Sequence, residues 1–152
     1  MKVYLNISVL LVSILALTCC EFLKSSEQKE ETSKYENARA LWESKNTSGS
    51  YQYIVNKLCY CGINGEVEVF VSDNKVTQAI AVESGEMVAL DSYSTIDGEF
   101  DWIDVKLNRD PYPDQLIVEY DAQFGFPVSV VYDGSINASD DEYSMIIRDF
   151  SF

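Results

Sequence analysis

Four cysteines and no histidine set the limits of what this chain can do chemically. Cys59 and Cys61 are two residues apart, so on a strand they point to the same face, with Lys57 on that face as well. In an oxidising compartment the plain expectation is a disulfide between them that pins a hairpin. Two residues on a regular strand sit near the upper end of the Cα separation a disulfide spans, so closure needs a local turn, which Gly62 can supply. A strained bond over a tiny loop is easily reduced, which keeps open a redox-labile dithiol or a two-thiolate site for a soft metal such as Cu(I). Lys57 would lower a thiolate pKa only slightly. Without histidine there is no Ser-His-Asp triad, no Cys-His pair, no imidazole zinc ligand and no imidazole general base. Two acidic stretches invite a metal reading, Asp97, Glu99, Asp101 and Asp104 in one and Asp133 to Glu142 in the other. The first reads as the solvated face of an amphipathic helix. The second fails the EF-hand pattern, with Ala138 at the glycine position and Ser144 at the glutamate position. No metal, cofactor or catalytic residue is assigned, and a hydrolase built on carboxylate pairs finds no support in the spacing.

The other cysteine pair lies at the end of an apolar run. Lys2 is followed by an uncharged segment from Val3 to Cys20, which has the charged and apolar regions of a secretory signal. Its end, Leu17-Thr18-Cys19-Cys20, resembles a bacterial lipobox, in which the cysteine after the cleaved bond receives a diacylglycerol. Leu17 three residues before Cys20 makes Cys20 the expected lipidated residue, and Ala16-Leu17-Thr18 before Cys19 is the alternative register. Several acyl chains, of the palmitate kind, would give the stable anchoring that one chain does not. The division expected is a signal peptide over 1–19, a flexible acidic tether over 20–32 and a single domain over 33–152.

The elements that position the cysteines follow from periodicity. Ser33 with Glu36 forms a capping box, and Tyr35, Ala38, Leu41 and Trp42 recur at helical spacing, with Trp42 as a core plug. From Ser50 the period is two, with Tyr51, Tyr53, Val55, Lys57, Cys59 and Cys61 on one face. A turn over Gly62 to Gly65 leads to Val67, Val69 and Val71. Asp73-Asn74 is a tight hairpin connection to a third strand from Val76 to Val82, and a fourth is expected from Met87 to Leu90. Ser94, paired with Asp97, opens a second helix whose buried stripe is Ile96, Phe100, Ile103 and Leu107. Strands follow near Leu116 to Tyr120, Val128 to Tyr132 and Tyr143 to Phe152, the second reached by a turn over Gln123 to Pro127. The whole is an α+β domain: a mainly antiparallel sheet of six to seven strands, an N-terminal helix, and one helix inserted between the two halves of the sheet.

The formal charge is −14, from 11 Lys and Arg against 25 Asp and Glu. Phosphate backbones and anionic lipid head groups would be repelled, so nucleic acid is excluded as a partner and the surface is expected to stay solvated and monomeric.

Tyr51-Gln52-Tyr53 ahead of Cys59-Tyr60-Cys61, the valine-alternating hairpin, Thr95-Ile96-Asp97-Gly98-Glu99-Phe100, Val118-Glu119-Tyr120-Asp121, Phe124-Gly125-Phe126-Pro127 and Asp140-Asp141-Glu142 together resemble a family of bacterial secreted and lipid-anchored proteins. That family is classed as a domain of unknown function. The resemblance implies a location in the cell envelope and a compact α+β domain, and it brings no activity or catalytic residue with it. The expectation is therefore a non-enzymatic lipoprotein, attached to a membrane on the periplasmic or extracellular side, that binds an envelope protein or ligand. The alternative is a thiol-based redox or soft-metal module using Cys59 and Cys61.

Overall fold

The computed structural model describes residues 26–59, 65–138 and 140–152. The signal segment, Cys19, Cys20, the first part of the tether, Cys61 and most of the first hairpin turn lie outside the described residues. Among those described, no helix is long and apolar enough to cross a membrane.

Helix α1 occupies residues 26–45. It is followed by strands β1 (Tyr51–Cys59), β2 (Glu66–Ser72) and β3 (Lys75–Ala81), a 3-10 turn (Leu90–Ser92), helix α2 (Ile96–Leu107), and strands β4 (Gln115–Tyr120), β5 (Pro127–Asp133) and β6 (Tyr143–Ser151). The six strands form one sheet in the order β3-β2-β1-β6-β5-β4, every neighbouring pair antiparallel. Two three-stranded meanders thus meet along β1 and β6, with α2 as the link between them.

Alternation explains which face is buried. Tyr51, Tyr53, Val55 and Lys57 of β1 face the core with Val67, Val69 and Val71 of β2, Val118 of β4, Val130 of β5, and Met145 and Ile147 of β6. The helices supply the other half of this core. Trp42 is fully buried, its ring 5.2 Å from Tyr51 and 5.8 Å from Phe150. Phe150 in turn stacks on Phe126 at 4.5 Å. The expected stripe of α2 is completely buried.

Two turns depend on unusual backbone. Asp73 and Asn74 take φ of 51° and 57°, as a two-residue hairpin of matching twist requires. Gly125, at φ 86°, lets the β4–β5 hairpin touch α1, because a Cβ there would stand 2.4 Å from the Ala38 carbonyl oxygen.

Three expectations need correction. Helix α1 runs through Ser33, so Ser33 is not its cap and residues 26–32 are helical rather than a flexible tether. Gln28 Nε2 donates to the Leu107 carbonyl at 2.8 Å, which ties this first part to the end of α2, and Lys34 pairs with Glu30 and Glu31 within α1 itself. The cap of α2 is Thr95 rather than Ser94, its hydroxyl accepting the Gly98 N–H at 3.1 Å. The fourth strand is reduced to a single bridge between Ile80 and Met87 before the 3-10 turn. Met87 is 68% exposed, so no burial rewards further pairing.

Candidate functional site

The interior face of β1 carries a cation where the alternation calls for an apolar residue. Lys57 follows Tyr51, Tyr53 and Val55 in register and is as buried as they are nearly. Its Nζ lies 2.8 Å from Glu99 Oε1, and the two side chains are 10% and 5% exposed. Taking two charges out of water costs several kcal/mol each in general, so such a pair persists only when each partner satisfies the other. Glu99 stands three residues after Ile96 and four before Ile103, inside the buried stripe of α2. Of the acidic run on that helix, only Glu99 departs from the solvated reading. Asp101 pairs with Arg39 at 3.1 Å, Asp97 accepts from Trp42 Nε1 at 3.2 Å, and Asp104 accepts from Asn108 at 2.9 Å.

Tyrosines surround the pair. The Tyr93 ring centroid lies 5.9 Å from the Lys57 ammonium. Tyr53 donates to the Ser94 carbonyl, and the Tyr51 hydroxyl accepts the Ile96 N–H at 2.8 Å. Burial raises the pKa of both phenols, and for Tyr53 the Glu99 charge adds to it. Tyr143 is raised by burial and then by Glu99, and Tyr93 by burial alone. These hydroxyls therefore stay protonated at neutral pH and act as hydrogen-bond donors and acceptors, not as nucleophiles or bases. The arrangement can hold the strand against the helix.

Cys59 ends β1 on the same face as Lys57, opposite Tyr143 of β6. It also lines a groove of about 460 Å³ at the end of the sheet, together with Leu58, Val131, Asp133, Glu142 and Ser144. Its sequence partner, Cys61, lies outside the described residues, as do Cys19 and Cys20. Asp133, at the end of β5, and Glu142, in the acidic loop that follows, both line this groove. One oxygen of Asp133 and one of Asp141 are buried without a hydrogen-bond partner among the described residues. No group of three or more His, Cys, Asp or Glu among the described residues is placed to hold a metal ion.

Among the described residues, no helix lies on the second face of the sheet. Along one row, Leu58 of β1 stands beside Ser144 of β6, Ser144 beside Val131 of β5, and Val131 beside Ile117 of β4. Ile146 occupies the next row, between Asn56 and Ser129. Leu58 is 59% exposed, Ile146 55% and Ile117 49%.

Alternation in the sequence already separates Lys57 from Leu58, but reading the acidic run as a solvated face puts Glu99 on the wrong side of α2. What sequence reasoning missed is that these two charges meet, 42 residues apart. It also missed the groove, because only the tertiary arrangement decides which face of the sheet the helices cover.

No curated protein and no solved structure matches the chain. A family model described as a family of unknown function does match, over residues 34–152, which takes in most of α1 and all of the sheet and α2. The chain belongs to that family, DUF6174.

Proposed function

We propose that this protein is a bacterial envelope lipoprotein, held to a membrane by acyl chains on Cys20, or on Cys19 in the other register, and that its α+β domain binds an envelope protein or ligand rather than performing catalysis. The observation that carries the binding role is the bare face of the sheet, where Ile117 and Val131 are exposed as neighbours, with Ile146 in the next row and Leu58 beyond Ser144, while both helices cover the opposite face. Isolated exposed aliphatics are ordinary, whereas neighbours in register on an uncovered face mark an interaction surface. The anchor rests on the apolar run and Leu17-Thr18-Cys19-Cys20. The raised phenol pKa values and the mutually satisfied Lys57–Glu99 pair support a domain built for rigidity.

Intact mass of the full mature protein from membranes, with and without reductant, tests this reading. The expected product begins at Cys20 and carries diacylglycerol. A product that keeps its signal segment, or lacks acyl chains, sinks the lipoprotein assignment. The same measurement counts the thiols released from Cys59 and Cys61 on reduction.

The second reading, a thiol-based redox or soft-metal module, draws on the position of Cys59 in the wall of the groove. An equilibrium redox titration decides it. A potential well below the thioredoxin range, about −270 mV, with no metal uptake by the reduced protein, removes it.

A further inference from the structure

We infer that the bare face of the sheet is the docking surface for a cationic, amphipathic segment of a partner protein, one that alternates Lys or Arg with aliphatic residues. This rests on the binding role proposed above and names its site and partner chemistry. The apolar half of the argument is the row Leu58, Val131 and Ile117 with Ile146 beside it, which opens at one end into the groove of about 460 Å³. An extended segment of a partner can lay aliphatic side chains along that row.

The charge on the same face decides the partner's sign. On the open sides of β1, β4, β5 and β6 the one cation is Arg148, and it is already neutralised by Glu66, its Nε 2.8 Å from the Glu66 Oε1 atom, and by Asp149. Glu119 lies on this face, Glu68 lies on it across from Ile54, and Asp133 and Glu142 line the groove. None of these four carboxylates forms an ion pair among the described residues. An anionic bilayer surface is repelled by the same carboxylates. A cationic ammonium or guanidinium on an apolar stem satisfies both halves of the surface at once.

The test uses the full acylated chain in nanodiscs of zwitterionic lipid, with empty nanodiscs as the blank. Two synthetic peptides serve as probes, an alternating Lys-Leu hexamer and its Glu-Leu counterpart. The Lys-Leu peptide is expected to bind, to weaken with rising salt, and to lose about tenfold in affinity on Ile146→Lys or Val131→Lys. The double variant Glu119→Gln, Glu142→Gln should weaken it without altering the fold, since both carboxylates are on the surface. Val105→Lys, on the exposed side of α2, is the control and should leave binding unchanged. Equal binding of the Glu-Leu peptide, no binding of either, or a Lys-Leu affinity indifferent to Ile146→Lys overturns the inference. So does protection of Ile146 from labelling by the bilayer alone, which would assign the face to lipid. The mass measurement that judges the anchor is independent of all these outcomes.

Discussion

The phenolic oxygen of Tyr51 receives the first backbone N–H of α2, that of Ile96, at 2.8 Å. Two residues on, Tyr53 donates to the carbonyl of Ser94 on the approach to the same helix. The first strand therefore completes the cap that Thr95 begins, and its alternation puts both phenols on the side where the helix starts. Helix N-termini leave several N–H groups without intrahelical partners, and a buried one needs an acceptor.

Replacing Tyr51 by Phe removes that acceptor and leaves the Ile96 N–H buried and unpaired. The expected loss is about 1–3 kcal/mol of stability. Urea unfolding followed by tryptophan fluorescence should show a lower midpoint with an unchanged slope. A midpoint equal to that of the natural protein would mean water reaches Ile96, contrary to its complete burial.

The Lys57–Glu99 pair should be costly to break and cheap to delete. Lys57→Met or Glu99→Leu alone strands a buried charge, and each is expected to cost about 3–5 kcal/mol. The double variant Lys57→Met, Glu99→Leu should recover most of that loss. A double-mutant cycle from chemical denaturation reads the coupling directly. Additive single effects would show that the two charges are solvated separately in solution.

Buried tyrosines set an alkaline limit on stability. Tyr51, Tyr53, Tyr120 and Tyr143 have pKa values raised above the ordinary value of 10.0, chiefly by burial, and Tyr112 is pushed up to about 12. Above about pH 10 the unfolded chain releases phenolic protons that the folded chain retains, so the unfolded state is favoured as pH rises. The contribution of these groups is fully present below pH 10 and declines above it. Ultraviolet absorbance of phenolate and far-ultraviolet circular dichroism, followed together from pH 9 upward, should change in one cooperative step for this set. A smooth titration of these tyrosines with the fold intact would contradict the burial.

Much of this architecture is legible in the linear chain because its signals are local. The period of two in Tyr51 to Lys57, the Asp73-Asn74 connection and the stripe from Ile96 to Leu107 each depend on neighbours a few residues away. The extension of α1 back to residue 26 was not legible, since its support is the Gln28 contact to Leu107, 79 residues distant. The same holds for the Lys57–Glu99 pair. Alternation puts Lys57 in line with Tyr51, Tyr53 and Val55, but Glu99 reads as one more carboxylate of a solvated face, and nothing local says that one answers the other. The Met87 to Leu90 segment shows the opposite failure. Its composition suits a strand, yet no surface remains there to cover it.

The central seam of the sheet joins its first strand to its last. β1 pairs with β6, from Cys59 against Tyr143 to Gln52 against Ser151, so the middle of the sheet is made by pairing across nearly the whole domain. Non-local pairing of this kind forms slowly. The two meanders are thus tied to each other twice, by the β1–β6 seam and by the packing of Phe150 and Phe152 on Trp42.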